Sequence, residues 1–430
     1  MSLHTVGYNQ QYILPASQDA VPQSFMSNKN SKPIASSLQT VNIPSLSGNQ
    51  SLGGTSIIQL PLGNSSGYCC NPYLRFTITL ANAGATATAQ FSFKGSVNSA
   101  TACINSYQTY VNSVQIDNIQ NADQVYDELL AHSTSNDWLS RDGSVLLGTG
   151  ALYAVGSAAG ANAFSGTYCI PLLGLLGSQQ AFPLFLCNGV MQIQINWQGA
   201  IARMLGWTTA NPAFTGATFS NVQLVYDRIS PEQAFVDSVR NNMMSGQKFV
   251  YSYSNFQNTS FPSVNGTTTL NFGLNVSSLR GLISNQITTA DLTDVSTKGY
   301  SIPNGLSNFQ VTLDGRNINS NVFSYSYTGD VASQVVNQAL VFAEMQRAIG
   351  RVFDSGISDI SSRVTFDTQN WAVGVSAQRV NEGNLAFSGS PVSIVSIQAT
   401  NTSANCTYYL TFMNDYQLLI DSAGSVEIVR

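Results

Sequence analysis

The chain has 430 residues, enough for two or three domains of ordinary size. Lys, Arg, Asp and Glu make up only 9% of it, against about 25% in an average globular protein, while apolar residues stand at an ordinary 43%. A net charge of −5 with thinly spread basic residues excludes nucleic-acid binding by charge, and the apolar content excludes wholesale disorder.

Residues 1–54 read as an extended N-terminal arm, rich in Ser, Asn, Gln and Pro. Its large apolar residues come singly or in pairs, too few to bury a core of their own. Met1 to Tyr12 lacks the charged-then-apolar layout of a signal peptide, so synthesis in the cytoplasm is expected. No apolar run reaches the roughly 18 residues of a membrane-crossing helix.

Beyond the arm the pattern has period two. Leu74, Phe76, Ile78 and Leu80 alternate with Arg75, Thr77 and Thr79; Met191, Ile193, Ile195 and Trp197 alternate with Gln192, Gln194 and Asn196. The same alternation marks Val222 to Tyr226, Phe249 to Tyr253, Phe309 to Leu313, Phe323 to Tyr327, Trp371 to Val375 and Tyr408 to Phe412. Each reads as a half-buried strand, and Gly, Asn, Asp, Ser and Pro clusters between them read as turns. Two segments have helical spacing instead, Asn121 to His132 and Ser333 to Ile349, the second with Gly350 at its stop.

The two helices mark an internal repeat. Val114-Gln115-Ile116-Asp117-Asn118 precedes the first and Val311-Thr312-Leu313-Asp314-Gly315 the second, each read as a strand ending in a tight turn. An eight-stranded jelly roll needs roughly 150–200 residues, which each half supplies. The expectation is an all-β chain of two tandem eight-stranded jelly-roll barrels with short inserted helices. The barrels are placed at residues 55–240 and 241–430, with Arg228 to Gln247 as connector.

Catalytic chemistry finds little material. Gly63-Asn64-Ser65-Ser66-Gly67 matches the nucleophile-elbow spacing, but a strand is expected after it where that motif needs a helix. Gly148-Thr149-Gly150 opens a glycine pattern that Tyr153 breaks. Asp117, Asp123, Asp127 and Glu128 read as a solvated face. Cys69, Cys70, Cys103, Cys169, Cys187 and Cys406 show no metal-binding spacing and read as buried thiols, and only His4 and His132 are present. The sequons, Asn64 and Asn265 among them, are what so Asn- and Ser-rich a chain gives by chance. No catalytic, cofactor-binding or metal-binding residue is expected, and no enzyme activity.

Four passages carry a resemblance: Ser113 to Leu130; Tyr168 to Gly177 with Phe182-Pro183-Leu184 and Met191 to Trp197; Asn221 to Asp227 with the connector; and Tyr409 to Val429. Together they resemble the double jelly-roll major capsid proteins of icosahedral DNA viruses, the lineage of adenovirus hexon and tectivirus capsid proteins, and most of all those of polinton-like viruses and virophages. The chain departs from hexon in having no segment long enough for tower loops. The resemblance implies a structural protein of the virion, made in the host cytoplasm and assembled inside the host cell. Homotrimers would form pseudo-hexameric capsomers that meet neighbouring capsomers and minor capsid or penton proteins. Direct nucleic-acid binding is not expected, and an internal membrane beneath the shell is left open. The alternative reading is a viral fibre or a lectin-like β-sandwich binding protein.

Overall fold

A computed structural model of the protein describes residues 36–84, 89–155, 160–178, 181–207, 211–303, 305–318, 323–324, 338–349, 369–378, 389–402 and 404–430. In the first half the principal strands are β1 (Ser36–Pro44), β2 (Thr55–Pro61), β3 (Tyr68–Asn82), β4 (Ile104–Val111), β5 (Val114–Gln120), β6 (Gly160–Pro171), β7 (Val190–Trp197) and β8 (Phe214–Pro231), beside several strands of two to four residues. They form two antiparallel sheets, ordered β1-β8-β3-β6 and β2-β7-β4-β5. All but one of the successive connections pass from one sheet to the other, the exception being the β4–β5 hairpin. That is the connectivity of a jelly roll. Helix α1 (Ala122–Ser133) follows β5, and single turns α2 (Gly174–Gly177) and α3 (Ile201–Met204) flank β7.

Helix α4 (Gln233–Met244) occupies the connector and leads to the second half. There the principal strands are β9 (Phe249–Pro262), β10 (Gly266–Thr288), β11 (Leu306–Leu313), β12 (Arg316–Asn317), β13 (Val373–Ser376), β14 (Ser390–Asn401) and β15 (Cys406–Ile420), with helix α5 (Thr289–Thr293) after β10, helix α6 (Gln338–Ile349) between β12 and β13, and a last short strand, Val426–Val429, paired with β15. Strand β10 serves twice. Its start, Gly266 to Gly273, pairs with β14, and its end, Leu279 to Thr288, pairs with β15. Between these stretches the register slips twice around Asn275, whose φ is 49°, and such bulges bend a strand from one sheet into another. With β10 divided at this bend, the sheets are β9-β15-β10-β13 and β10-β14-β11-β12, the arrangement of the first half repeated.

The expected period-two faces are the core. Phe76, Ile78 and Leu80 on β3, Ile193 and Ile195 on β7, and Val311 and Leu410 in the second half are wholly buried. Trp197 stacks on Phe219 with centroids 4.2 Å apart and planes 7° apart, and meets Phe76 at 4.9 Å. The expected strand Phe323 to Tyr327 is described only as a two-residue pairing at Phe323–Ser324.

Strand β1 comes from residues read as arm. It runs the full length of Gln223 to Pro231 as an edge strand, and the first five of its residues are exposed. Only Val41 and Ile43 on this strand are half-buried against the core, so Ser36 to Pro44 carries little of the period-two signal. Residues 1–35 of the arm lie outside the described residues.

The repeat is real in the fold but shifted in the sequence. Helices α1 and α6 fill the same slot, after the fifth strand of each barrel. Asp314 (φ 46°) and Gly315 (φ 76°) make the expected tight turn. Asp117 and Asn118 do not: they lie inside β5, opposite Thr109 and Gln108, and the turn is made by Asn112 (φ 49°) and Ser113 (φ 68°). Left-handed residues are what a two-residue hairpin needs, and Asn tolerates that conformation as well as Asp-Gly does.

Candidate functional site: a buried polar seam between the barrels

Helix α1 lies against the first barrel through Ala122, Val125, Tyr126 and Leu130, all buried. Its other face, expected from sequence to be solvated, is buried instead. Asp123, Asp127 and Glu128 on α1, and Asp117 on β5, are 3%, 6%, 3% and 0% exposed. Residues 95–97 of the first barrel close over Asp127, and the second barrel helps to cover Asp117 and Glu128. Strands β9 and β15 cover the helix, so β15 is buried on both faces: Tyr408, Leu410 and Phe412 enter its own core, while Tyr409, Thr411 and Met413 are also buried.

Polar groups of the two barrels meet there by hydrogen bonding. Asn121, in a left-handed conformation (φ 45°) at the start of α1, donates from Nδ2 to Asn258 Oδ1 at 2.9 Å. Asn258 Nδ2 donates to Thr411 Oγ1 at 2.9 Å, and the Thr411 hydroxyl donates to Glu128 Oε2 at 2.7 Å. Asp117 joins three elements: it accepts from the Leu175 N–H at 3.0 Å and from Asn255 Nδ2 of β9 at 2.7 Å. Gly174, at φ 68°, lets α2 come this close, because a Cβ there would stand 2.5 Å from the Asp117 carboxyl. Asp127 accepts from the N–H groups of Ser96 and Val97, at 2.8 and 3.1 Å.

Two cations complete the seam. Arg203 of α3 faces Asp123 Oδ2 at 3.6 Å, donates to the Tyr409 hydroxyl at 2.9 Å and lies 5.9 Å from the centre of that ring. Lys94 is buried and crosses to the second barrel. Its ammonium donates to the carbonyls of Asp291 and Asp294, the second at 2.6 Å, and so caps the C-terminal end of α5. Backbone bonds reinforce the junction: Gly95 N–H to Lys298 O at 3.0 Å, Trp207 N–H to Val295 O at 2.9 Å and Asn188 N–H to Gly424 O at 3.2 Å.

Burial dominates the ionisation of these groups. It pushes Asp117 up to about 6, against the opposing bonds from Leu175 and Asn255. It raises Asp123 against Arg203, raises Asp127 against its backbone donors, and holds Glu128 well above the ordinary carboxylate range. Burial lowers Lys94 to about 8. Glu128 Oε1 has no hydrogen-bond partner among the described residues. A carboxyl whose folded-state pKa is raised holds its proton more tightly when folded. Its stabilisation is full below the ordinary value of 4.5 and is lost as pH rises through the raised one. Glu128→Gln, which removes that titration, is therefore expected to raise the thermal midpoint at neutral pH and to change it little in mild acid. Melting curves across pH check this, and a variant less stable than the parent at neutral pH would contradict it.

The other sequence candidates stay apart. Gly63 to Gly67 is a loop between strands β2 and β3, with no helix after it, and Ser65 is exposed while His132 is buried within α1. Gly148 and Gly150 are turn residues with φ of 69° and 66°. Cys69, Cys103, Cys187 and Cys406 are buried and Cys70 and Cys169 half-buried. Among the described residues no cluster of three or more His, Cys, Asp or Glu could hold a metal ion. The seam's chemistry is cohesion: Asp117 and Glu128 are bonded across the junction by Asn255 and Thr411, while Asp123 and Asp127 are held by groups of the first barrel.

No family model and no curated protein matches the sequence. Solved structures do match the fold. The chain is similar to the PBCV-1 virus capsid protein with a TM-score of 0.59 at 11% identity, over 94% of this chain and 99% of that one. It is similar to the Faustovirus major capsid protein with a TM-score of 0.62 at 9% identity, over 92% of each chain. It is similar to the mavirus major capsid protein with a TM-score of 0.50 at 15% identity, over 95% of this chain and 94% of that one. The likeness is one of fold: two jelly rolls in one chain, aligned from end to end.

Proposed function

We propose that this protein is the major capsid protein of an icosahedral DNA virus, a structural and non-catalytic component of the virion. The observation that carries the reading is the end-to-end match of both barrels to the PBCV-1 and Faustovirus capsid proteins, over more than nine-tenths of every chain involved. Three copies would set six barrels around a three-fold axis, a pseudo-hexamer that tiles a hexagonal lattice with one gene product. The buried seam supports this, because it makes two barrels move as one block. The barrels divide near residue 240, within α4, and the segment before β1 serves as a lattice clamp. Minor capsid or penton proteins would occupy the vertices.

The scarcity of charge fits the same reading. Lattice contacts are numerous, and unpaired charges buried in them would be costly, whereas Ser, Thr, Asn and Gln hydrogen-bond across an interface with little dependence on salt. The outer sheet faces show such pairing within the chain, as between Thr77 and Thr167 and between Thr267 and Thr400, both at 2.9 Å.

Two truncations test the clamp. Deleting residues 1–35 is expected to leave capsomers intact and weaken shell assembly. Deleting residues 1–50 also removes β1 and is expected to destabilise the barrel itself. Size-exclusion chromatography and electron microscopy read both results, and a shell of normal stability without residues 1–35 would refute the clamp.

A further inference from the structure

Helix α1 of the first barrel and helix α5 of the second face one another across a cavity of about 20 Å³, large enough for one water molecule. Lys94, Asp123, Asp127 and Arg203 line it from the first barrel, and Asp291 and Leu292 from the second. Asp123 is 3% exposed, and one of its two carboxyl oxygens, Oδ1, has no hydrogen-bond partner among the described residues. Its other oxygen accepts from Gln124 Nε2 at 2.9 Å and faces Arg203 at 3.6 Å.

The neighbouring side chains bond elsewhere. The Gln124 amide donates one N–H to Oδ2, and its carbonyl accepts from Asn285 Nδ2 at 3.3 Å. Lys94 points its ammonium at Asp291 O, Asp294 O and Thr297 Oγ1. Asp127 has both oxygens filled by backbone N–H groups. A buried carboxyl oxygen with no donor is a standing penalty, and such oxygens are met by protein or by ordered water. The guanidinium of Arg203 retains N–H groups beyond the two contacts it makes, so a molecule in the cavity can accept as well as donate.

We infer that this cavity is a binding site for a single structural water, which donates to Asp123 Oδ1 and accepts from Arg203, and so completes the hydrogen bonding of the barrel junction. A metal ion is disfavoured by the two cationic side chains in the wall. The inference concerns the junction within one chain and does not rest on the capsid reading.

A structure of the full chain at a resolution that shows ordered water tests it. One density peak is expected about 2.7–3.2 Å from Asp123 Oδ1. An empty cavity would overturn the inference, and so would a peak with contacts of about 2.0–2.6 Å, which belong to a cation. The thermal midpoint should not move with added calcium chloride, magnesium chloride or EDTA, and a shift with any of them would count against water. The peak should persist in Asp123→Asn, whose amide can still bond it. It should vanish in Asp123→Leu, whose methyl groups fill the space; its persistence there would be a contrary result.

Discussion

Asp117→Ala should loosen the barrel junction by about 3 kcal/mol, the scale of two buried donors left without an acceptor, less the burial penalty of the carboxyl itself. The two donors are the Leu175 N–H and Asn255 Nδ2, and no other acceptor is recorded for either in the described hydrogen bonds. For domains of this size the loss corresponds to a fall in thermal midpoint of about 6–12 °C. Asp117→Asn keeps one acceptor oxygen and should lose about half as much. It should also flatten the pH dependence near 6, where the parent's carboxyl titrates. Because the raised pKa belongs to the folded state, the parent should lose stability as pH climbs from the ordinary carboxylate range through that value. Calorimetry on the parent and both variants from mild acid to neutral pH reads all three effects. Equal midpoints for parent and Asp117→Ala would show that the junction does not depend on this carboxyl.

The second large effect lies in the first barrel's core. Trp197 is 1% exposed, stacked on Phe219 and packed against Phe76, and its indole N–H donates to Ser56 Oγ at 2.9 Å. It stands where β7 slips register against β4. Trp197→Ala removes the largest side chain of this cluster and leaves a cavity between the sheets, at about 3–5 kcal/mol. It also orphans Ser56 Oγ, which is wholly buried. Leu38→Ala on the exposed edge strand is the matching control, since the side chain is 71% exposed and its loss should stay within about 0.5 kcal/mol. Denaturant unfolding followed by circular dichroism separates the two. A Trp197→Ala loss as small as the control's would mean that this cluster does not carry the barrel.

Both barrels were readable from the sequence because each buries one face of most strands. Leu74 to Leu80 and Met191 to Trp197 announce themselves by alternation, and the helix beginning at Asn121 announces itself by a different period. Strand β1 was not readable, since only Val41 and Ile43 on it are half-buried against the core. The seam was misread for a related reason. On α1, Asp123, Asp127 and Glu128 have the composition of a solvent face, and what meets them lies outside the helix: Ser96 lies 31 residues from the Asp127 it bonds, and Thr411 lies 283 residues from the Glu128 it bonds. No local window contains that contact. The sequence holds one signal of it, the poverty of charge: in a chain with 22 acidic residues among 430, three on one short helix point to specific partners rather than to solubility. The D-[N/G] match misled because one motif served two ends, a turn at Asp314 and a buried acceptor at Asp117.

As the proposed capsomer subunit, this chain would be two barrels joined as one block and repeated about a three-fold axis. Electron microscopy of the purified oligomer, paired with its solution mass, decides this. A compact particle of three 46.0 kDa chains is expected, showing six barrels in a pseudo-hexagonal outline, unchanged between low and high salt. A monomer, an elongated fibre, or a trimer that falls apart in moderate salt would contradict it.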